Sequence, residues 1–322
     1  MKILVTGGSG FLGSRLVPRL VAAGHQVFAL ARSAAADGKL RALGALPVRG
    51  DLDHPGGMAL PPVEAVIHLA AHFHLAGPRA PFFQVNVDGT KALLQAAQAA
   101  GASSFIYLTA AAVIMDNGGS PIRHADERAP TFPDSFSPYI ASKATSEAGV
   151  LAANRPGFRT IALRPPGIWG PGDAFSRNIP QAIRSGQFAF IARGDYPYST
   201  CHVDNVVEAL ILALDRGEGG RAYFIRDPED TTFRGFIDGL AQLQGLSIAR
   251  LRSVPYGMAF FMGRMMELGA RLRRSDQPPP LTRTMVRLIG REFTIDDSAA
   301  RRDLGYVGTV SRAAGLASYG AG

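Results

Sequence analysis

The sequence predicts an α/β protein built on a doubly wound parallel sheet, with a smaller C-terminal lobe. Three observations support this prediction: short apolar strands alternate with helices over the first 110 residues, a Gly-rich turn follows the first strand, and the chain becomes irregular after Pro165. Apolar strands separated by helices are typical of a parallel sheet that is covered on both faces. Right-handed crossovers then wind the sheet in both directions.

Composition narrows the class of protein. The chain has 322 residues, 47% of them hydrophobic and 19% charged, which excludes a disordered protein and allows a large core in two lobes. Lysine and arginine exceed the acids by 34 − 26 = 8, which favours anionic ligands. No basic run with interleaved aromatic residues is present, so we expect no nucleic-acid partner. The single cysteine, Cys201, excludes an intrachain disulfide and favours a reducing, cytoplasmic location.

The apolar pattern places individual elements. Strands are predicted at residues 2–5, 25–31, 63–69 and 105–109, and a helix at residues 11–23. Leu12, Leu16 and Leu20 share one face of that helix. Residues 92–115 lack charge, but polar residues and Gly101 predict a helix end, a turn and a strand there rather than a membrane span. Because the first strand begins at once, we expect no signal peptide.

The turn after the first strand carries the first chemical signal. Gly7, Gly10 and Gly13 have the spacing GxxGxxG, and the segment opens a helix. Glycines here permit a tight turn, a close approach of the backbone to a pyrophosphate and close packing of helix on strand. The helix N-terminus offers free N–H groups to the phosphates. A plain Gly-rich turn is the alternative, but the position between strand and helix predicts a dinucleotide site.

These observations divide the chain. Residues 1–165 are predicted to form a dinucleotide-binding, Rossmann-type domain, to which residues 203–220 return through a helical run at residues 206–214. Residues 166–202 and 221–322 are predicted to form the smaller, substrate-binding lobe.

The end of the second strand indicates which dinucleotide binds. Sites selective for NAD usually place an acid here, on the ribose 2′-hydroxyl, whereas this chain has Arg32 and Ser33. These residues can hold a 2′-phosphate, which predicts NADP as the preferred cofactor and NAD as the alternative. Arg32 is otherwise a solvated loop residue. Asp51, where a third strand should end, either accepts from the adenine amino group or caps a turn.

A Tyr-Lys pair supplies candidate catalytic groups. Tyr139 and Lys143 are four residues apart at the start of a predicted helix, so their side chains share one face. A phenol has a pKa of about 10 and is a poor acid or base at neutral pH, but a nearby ammonium lowers that pKa. Lys143 can also hydrogen-bond the nicotinamide ribose. A structural role for the pair is the alternative.

The chain resembles the extended short-chain dehydrogenase/reductase family, also called the NAD-dependent epimerase/dehydratase family. The matching segments, in order, are TGGSGFLG from Thr6, HLAA from His68, NVDGT from Asn86, YIASK from Tyr139, LRPPGIWGPGD from Leu163 and HVDNVVEA from His202. Two more segments are most similar to its 3β-hydroxysteroid dehydrogenase-like branch: GRAYFIRD from Gly220 and FTIDDSAARRDLGY from Phe293. The resemblance implies a Rossmann lobe, a substrate lobe for a sterol-like or other hydrophobic compound, and a homodimer. It also implies cofactor contacts outside the glycine fingerprint, at Phe11, Leu12, Leu52, Ala70 and Pro166.

One position departs from the family pattern. The family places a Ser or Thr three residues before a valine, on the strand before the Tyr helix, where it hydrogen-bonds the substrate oxygen. Counting back from Val113 reaches Ala110, and Thr109 is one residue away. A slip of one residue turns a strand side chain to the other face. Three explanations remain open. The strand end bulges and presents Thr109 to the substrate, one of the histidines after the fourth strand (His72 or His74) acts as the donor, or catalysis is weakened. We keep Thr109 as the third catalytic candidate.

Other residues have less specific interpretations. His68 is expected to be structural, whereas His72 and His74 lie nearer the nicotinamide side; no carboxylate falls among the three, so we predict no metal site. Cys201 is expected to be a buried, inert thiol. Six aromatic residues flank the predicted cleft and are mostly expected in the core: Phe82, Phe83, Trp169, Phe175, Phe188 and Phe190.

Residues 254–272 are rich in Met and Phe and contain only three charges. Those charges argue against a membrane span. The segment is interpreted, in order of preference, as a core helix, a dimer helix or an amphipathic helix resting on a membrane surface.

The leading functional interpretation is an oxidoreductase that moves a hydride between NADP(H) and an alcohol/ketone pair, with Tyr139 exchanging the hydroxyl proton. A nucleotide-sugar epimerase or dehydratase with retained NAD is the first alternative, and Ala31 and Ala110 count against it. A dinucleotide-binding protein with little activity is the second, and the intact pair of Tyr139 and Lys143 opposes it.

Overall fold

The structure is a computed structural model that describes residues 1–56, 58–273 and 279–320. The strands in these ranges are β1 (Lys2–Thr6), β2 (Gln26–Ala31), β3 (Leu46–Arg49), β4 (Ala65–His68), β5 (Ser104–Leu108), β6 (Ile122–Ala125), β7 (Arg159–Arg164), β8 (Gly167–Trp169), β9 (Phe190–Ile191), β10 (Thr200–His202), β11 (Arg221–Phe224), β12 (Ser253–Val254) and β13 (Phe293–Ile295).

The helices of the described ranges connect these strands. They are α1 (Gly13–Ala22), α2 (Ala34–Ala42), α3 (Arg79–Phe83), α4 (Thr90–Ala99), α5 (Pro138–Ala152), α6 (Ala174–Arg184), α7 (Val203–Asp215), α8 (Phe233–Gln242), α9 (Tyr256–Leu272), α10 (Arg283–Ile289), α11 (Ser298–Leu304) and α12 (Arg312–Ala317). A π-helical segment, Gln84–Gly89, joins α3 to α4 without a break. Short 3₁₀ turns occur at Ala111–Ile114, Ala192–Gly194 and Ser318–Gly320.

The centre of the fold is a seven-stranded parallel sheet in the order β3-β2-β1-β4-β5-β7-β11. The order reverses between β1 and β4, so the crossovers cover both faces. This confirms the predicted doubly wound sheet. The reversal opens a crevice beyond the carboxyl ends of β1 and β4, which is where ligands bind in such sheets.

Apolar helix faces close both sides of the sheet. On one side Leu16 and Leu20 of α1 pack with Leu210 of α7 in one buried cluster. On the other, Leu93 of α4 and Val150 of α5 pack with the opposite faces of the strands. Burial of each such side chain contributes about 1.5–3 kcal/mol. The helix predicted from residue 11 begins at Gly13 because the two residues before it belong to the turn.

One boundary of the predicted division needs correction. The sequence predicts that all of residues 221–322 belong to the second lobe, but Arg221–Phe224 pairs with β7 and forms an edge of the central sheet. The pairing joins segments far apart in sequence, so local pattern did not reveal it. The division of the other residues into lobes stays a prediction.

A second core lies beside the sheet, among β8 to β10, α6, α8 and β13. Its fully buried aromatic residues include Trp169, Phe190, Phe233 and Phe236. A buried carboxylate, Asp227, ties this core together, because it accepts hydrogen bonds from four donors: Trp169 Nε1 (2.6 Å), Thr200 Oγ1 (2.7 Å), the His202 N–H (2.6 Å) and Asn205 Nδ2 (2.8 Å).

The Met-rich segment forms α9. Only Ala259 and Gly263 are buried among its 17 residues, so the interpretation as a core helix is wrong. In the described parts of the chain, every helix is too short or too polar to cross a membrane.

Candidate active site

The glycine turn between β1 and α1 is built by close backbone contacts. Gly7 has φ +70°, and the Gly10 N–H donates to the Gly7 carbonyl at 3.0 Å. A Cβ on Gly13 would lie 2.2 Å from that carbonyl oxygen, so only glycine fits there. Within the described residues, the N–H groups of Phe11 and Leu12 have no backbone acceptor. Such a cradle with free N–H groups fits a pyrophosphate.

The segments that follow β4, β7 and β8 extend this cradle. The Ala70 N–H, beyond β4, donates to Thr6 Oγ1 at 3.1 Å, and a Cβ on Gly7 would contact the Ala70 backbone at 3.0 Å. Phe11 is half-buried and faces Gly172, beyond β8. Pro166 is also half-buried, between β7 and β8. The structure therefore brings the predicted cofactor contacts at Phe11, Leu12 and Ala70 to the crevice; their roles stay predictions.

Two arginines stand at the carboxyl ends of β2 and β3, where the sequence predicts binding of the adenosine ribose of the cofactor. Arg32 follows β2, is exposed, and pairs loosely with Asp53 at 3.4 Å. Arg49 ends β3, and its guanidinium donates to the Ala31 carbonyl at 3.3 Å and to Asp37 at 2.6 Å. Sequence reasoning missed Arg49, whose guanidinium reaches the end of β2 because the two strands pair in parallel.

The other predicted residues at this end have local partners. Ser33 is the N-cap of α2, since its Oγ accepts from the Ala36 N–H. Asp51 Oδ1 accepts from the Asp53 N–H at 3.0 Å, which is the turn-capping role that the sequence left open. Leu52 is buried against Gly89 of the π-helical segment.

The Tyr-Lys pair lies at the start of α5. Pro138 occupies the first helical position, where its missing N–H costs nothing. Tyr139 is half-buried, and the ring of Phe73 meets it edge-on with centroids 4.9 Å apart. Lys143 is buried, donates from Nζ to the Leu108 carbonyl at 2.8 Å, and lies 4.1 Å above the Tyr107 ring. The helix thus presents both groups beside the end of β5.

Burial governs the protonation of both groups. Desolvation raises the pKa of Tyr139, so its phenol stays protonated at neutral pH. Desolvation lowers the pKa of Lys143 to about 7, although the carboxylate of Glu147 acts in the opposite direction. The predicted lowering of the Tyr139 pKa by the ammonium is therefore outweighed by burial here. A protonated phenol suits proton donation.

Asn86 fixes the position of this helix relative to the loop after β4. Its Oδ1 accepts from the His72 N–H at 2.7 Å, and its Nδ2 donates to the His72 carbonyl at 3.1 Å and to Ser142 Oγ at 2.9 Å. The Ser142 hydroxyl in turn donates to the Tyr139 carbonyl at 2.9 Å. Asn86 is 2% exposed and lies in the π-helical segment, a distortion often found at functional sites. Sequence reasoning did not assign it a role; the NVDGT motif was the available signal.

The histidines near the crevice differ in environment. His68 is buried between the hydroxyls of Thr6 (2.6 Å) and Thr90 (2.9 Å), and burial lowers its pKa to about 3. It is neutral and structural. His72 is half-buried against the Phe82 ring, while the neighbouring His74 is exposed. Among the described residues, no three His, Cys, Asp or Glu side chains group as metal ligands.

Thr109 and Ala110 follow β5, which ends at Leu108. The Thr109 N–H donates to the Leu163 carbonyl and the Ala111 N–H to the Pro165 carbonyl, so pairing with β7 continues without a bulge. Ala110 packs in the same apolar cluster as Tyr139. Thr109 Oγ1 is buried and, within the described chain, lacks a hydrogen-bond partner. The geometry favours Ala110 as the position facing the cleft.

We expect Ala110→Ser to raise kcat/KM by about tenfold, because an oxyanion donor contributes about 10²–10³ in rate. Thr109→Val should change kcat/KM little, since it removes a hydroxyl that faces the interior. Steady-state kinetics of both variants check this. A loss of activity in Thr109→Val with no gain in Ala110→Ser would instead identify Thr109 as the donor.

The remaining candidates lie in the core. Phe82, Trp169 and Phe190 are almost fully buried, which agrees with their expected core role. The Cys201 thiol is fully buried, and burial raises its pKa well above the usual range. Such a thiol is unreactive.

Together, the sheet, the glycine cradle and the Tyr-Lys helix define an NAD-dependent oxidoreductase of the extended short-chain dehydrogenase/reductase type. The chain belongs to the 3-beta hydroxysteroid dehydrogenase/isomerase family, whose family model matches residues 4–252.

Individual relatives agree with this membership. A 4-hydroxy-2-methyl-3-oxo-4-farnesyl-3,4-dihydroquinoline-1-oxide ketoreductase from Stigmatella aurantiaca is 40% identical, over 98% of this chain and 95% of the relative. A 2-alkyl-3-oxoalkanoate reductase from Stenotrophomonas maltophilia is 35% identical, over 98% and 97%. The crystal structure of a dTDP-glucose 4,6-dehydratase double mutant from Streptomyces venezuelae, with NAD bound, matches with a TM-score of 0.75 and 26% identity, over 99% of this chain and 95% of that one.

Proposed function

We propose that this protein is an NADPH-dependent ketoreductase acting on a lipophilic 3-oxo compound. The observation that carries the proposal is the placement of Tyr139 and Lys143 at one end of α5, beside the end of β5, with the phenol protonated at neutral pH. Ketone reduction needs a proton donor at the alkoxide that hydride addition forms, and a protonated phenol can act as that donor.

The names of the relatives support this substrate class. One acts on a 3-oxo quinoline with a farnesyl group at position 4, the other on 3-oxoalkanoates with an alkyl group at position 2. Both compounds carry a ketone next to a carbon that bears a hydrocarbon chain. The surroundings of Tyr139 fit such a compound, since Phe73 and Ala110 are apolar. A nucleotide sugar needs polar partners instead.

Within this proposal each group has a role. The cradle of Gly7, Gly10 and Gly13 holds the pyrophosphate, and the bound NADPH supplies the hydride. Tyr139 donates its phenolic proton to the ketone oxygen. In its protonated form Lys143 supplies a positive charge near Tyr139, which stabilises the phenolate that remains.

A substrate panel tests the proposal. Purified protein is assayed for oxidation of NADPH and NADH with a 2-alkyl-3-oxoalkanoate, a 3-oxosteroid and a nucleotide sugar. We expect the 3-oxoalkanoate with NADPH to give the highest kcat/KM. Turnover of the nucleotide sugar alone would support the epimerase/dehydratase alternative. No turnover with any compound would support the other alternative, a dinucleotide-binding protein with little activity.

We propose that the cofactor preference depends on Arg32, with Ser33 as a further contact. Arg32→Glu should lower the affinity for NADPH by about tenfold or more and the affinity for NADH far less. The reason is that the variant places a carboxylate where the 2′-phosphate is proposed to bind. Fluorescence titration with both cofactors measures this. Arg123→Glu serves as the matched control, since Arg123 is exposed and pairs with Glu292 in the second lobe. Equal weakening of both cofactors by Arg32→Glu would contradict the assignment.

The pKa of Lys143 predicts a pH dependence. Since that pKa is about 7 and activity needs the ammonium, kcat/KM for ketone reduction should be highest below this value and fall as pH rises through it. Glu147 raises the pKa of Lys143, so Glu147→Gln should move the fall to lower pH.

The control for this profile is Glu64→Gln, which changes an exposed carboxylate remote from the site. Glu147 also pairs with buried Arg164, so thermal unfolding is measured in parallel, and profiles are compared at temperatures where both variants are folded. If the pH profile of kcat/KM were unchanged in folded Glu147→Gln, the fall in kcat/KM at high pH would not be due to deprotonation of Lys143.

We also propose a homodimer and a cytoplasmic location. The exposed residues of α4 and α5 are uncharged apart from Lys91. Such a surface can pack against the same two helices of a second copy of the chain without charge repulsion. The single, buried thiol supports a reducing compartment. Sedimentation velocity and cell fractionation test these two statements.

A further inference from the structure

The aromatic ring of Tyr107 faces the ammonium group of Lys143. The Lys143 Nζ lies 4.1 Å from the centre of the ring, and both side chains are almost fully buried, with exposed fractions of 1% for Tyr107 and 2% for Lys143. The face of an aromatic ring carries partial negative charge and attracts an ammonium, more strongly where water is excluded. Tyr107 takes no direct part in the proposed reaction, but it contacts the lysine that does.

Two contacts hold the Tyr107 ring in this position. The Ser146 hydroxyl donates to the Lys143 carbonyl at 3.3 Å, so the Tyr107 phenol donates its own hydrogen bond to Ser146 Oγ. Ser146 and Lys143 are three residues apart on α5, so the ring is tied to the helix that carries the ammonium. The imidazole of His68 stacks on the ring with centroids 5.4 Å apart. The ring is therefore oriented by groups other than Lys143.

The ring of Tyr107 acts as a neutral group. Burial raises the pKa of Tyr107 above its usual range, so its phenol keeps its proton at physiological pH. Lys143 therefore meets the face of a neutral aromatic ring and not the full charge of a phenolate.

The ammonium of Lys143 has three donors and few strong acceptors. One N–H donates to the Leu108 carbonyl at 2.8 Å. The carboxylate of Glu147, one turn further along α5, also favours the charged form of Lys143. That carboxylate is shared, however, because it accepts two hydrogen bonds from the buried Arg164 guanidinium. The ring of Tyr107 is therefore a substantial part of what stabilises the ammonium.

Other titratable groups near α5 add little charge at this point. His68 is neutral, because burial lowers its pKa to about 3, and Tyr139 keeps its proton. Arg159, at the opposite end of β7 from Arg164, donates to the Ala213 carbonyl at 2.8 Å. The charged residues of α3, α4 and the π-helical segment that pack beside α5 are all exposed: Arg79, Asp88 and Lys91.

We propose that Tyr107 is a positioning residue that keeps Lys143 protonated through the face of its aromatic ring. The ring and the Leu108 carbonyl replace part of the water that burial removes from the ammonium. Tyr107 thereby extends to higher pH the range over which Lys143 can stabilise a phenolate at Tyr139. This catalytic consequence rests on the proposed function, whereas the effect on the charge of Lys143 does not.

An NMR titration of Lys143 tests the proposal. The chain has four lysines, Lys2, Lys39, Lys91 and Lys143, so labelling lysine with ¹³C at Cε gives four signals, and Lys143→Arg identifies one of them by its loss. The full chain is titrated without cofactor or substrate. Tyr107→Leu should lower the pKa of Lys143 by about 1, because the attraction to the ring is lost. Tyr107→Phe keeps the ring and should leave the pKa of Lys143 nearly unchanged.

Fluorinated phenylalanine at position 107 separates the charge of the ring face from the shape of the ring. Fluorine withdraws negative charge from the face but changes the size of the ring little, so the pKa of Lys143 should fall further with each added fluorine. These variants keep the packing of Tyr107→Phe, so they decide the proposal even if Tyr107→Leu does not fold. A pKa of Lys143 that stays constant or rises across the fluorinated series would overturn the proposal.

Phe105→Leu is the matched control. Phe105 lies on the same face of β5 as Tyr107, is fully buried, and packs against the Phe158 ring with centroids 6.4 Å apart. This variant should lower the thermal stability and leave the pKa of Lys143 unchanged. An equal fall in that pKa in Phe105→Leu and Tyr107→Leu would assign the effect to general loosening of the core and overturn the proposal.

The pH profile of ketone reduction gives the second readout. Since activity needs the ammonium, Tyr107→Leu should move the fall in kcat/KM to lower pH, and Tyr107→Phe should restore the parent profile. A lower pKa of Lys143 in the NMR titration, with no movement of the profile, would contradict the role proposed for Lys143 and leave that of Tyr107 supported. Absence of ketone reduction would contradict the proposed function, and the NMR titration would still decide the role of Tyr107.

Discussion

Tyr139→Phe is expected to lower kcat for ketone reduction by about 10³ or more while leaving the Kd for NADPH nearly unchanged. The variant keeps the ring and its edge-on contact with Phe73 and removes only the hydroxyl that we propose as the proton donor. General acid catalysis contributes about 10²–10⁴ in rate, so its loss dominates any packing effect. Single-turnover kinetics with saturating NADPH measure the change.

Tyr223→Phe provides the control for this result. It also deletes one phenolic hydroxyl, which accepts from the Glu218 N–H at the sheet edge. We expect normal kcat and a modest loss of stability in that variant. Full activity in Tyr139→Phe would remove Tyr139 from the mechanism, and equal losses in both variants would point to a general effect on folding.

Gly13→Ala should lower affinity for NADPH by about 10² or more. A Cβ at this position meets the Gly7 carbonyl oxygen at 2.2 Å and the Gly8 Cα at 2.5 Å, and both belong to the backbone. The turn or α1 must therefore move, and the N–H groups that we propose bind the pyrophosphate move with it. Isothermal titration with NADPH and thermal unfolding measure the two effects.

Gly257→Ala is the matched control, because a Cβ there meets nothing within 4 Å and Gly257 lies in the first turn of α9. Alanine is favoured over glycine in a helix by about 1 kcal/mol, so this variant should be neutral or slightly stabilised. Unchanged NADPH affinity in Gly13→Ala would contradict the placement of the pyrophosphate.

Local sequence patterns predicted the parts of the site that depend on local geometry. Glycines at this spacing after a strand predict a tight turn, and residues four apart on a helix share one face. The structure has the tight turn at Gly7 to Gly13 and has Tyr139 and Lys143 one turn apart on α5. At Ala110 the sequence left the register open, and only the hydrogen bonds of the Thr109 and Ala111 N–H groups to Leu163 and Pro165 favour Ala110 as the position that faces the cleft.

Other features depend on contacts between distant segments. Asn86 joins the loop after β4 to α5 through partners 14 and 56 residues away, and no local pattern contains that information. The orientation of Lys143 toward the Leu108 carbonyl follows from burial of α5 on the sheet. For α9, a run of Met and Phe has the same composition whether it is covered or exposed, so only the packed structure separates the interpretations.

The position of β11 has a consequence for synthesis of the chain. This strand covers the free edge of β7, yet it begins at residue 221 of 322, so the edge stays open until about two thirds of the chain has left the ribosome. An open strand edge pairs readily with another chain. Asp227, which accepts hydrogen bonds within the second core, follows β11 within three residues, so the same short segment closes the sheet edge and brings this carboxylate to its donors. A chain that ends before residue 221 would therefore keep the β7 edge open and be prone to aggregation, whereas a chain that includes β11 can pair that edge once this segment has left the ribosome.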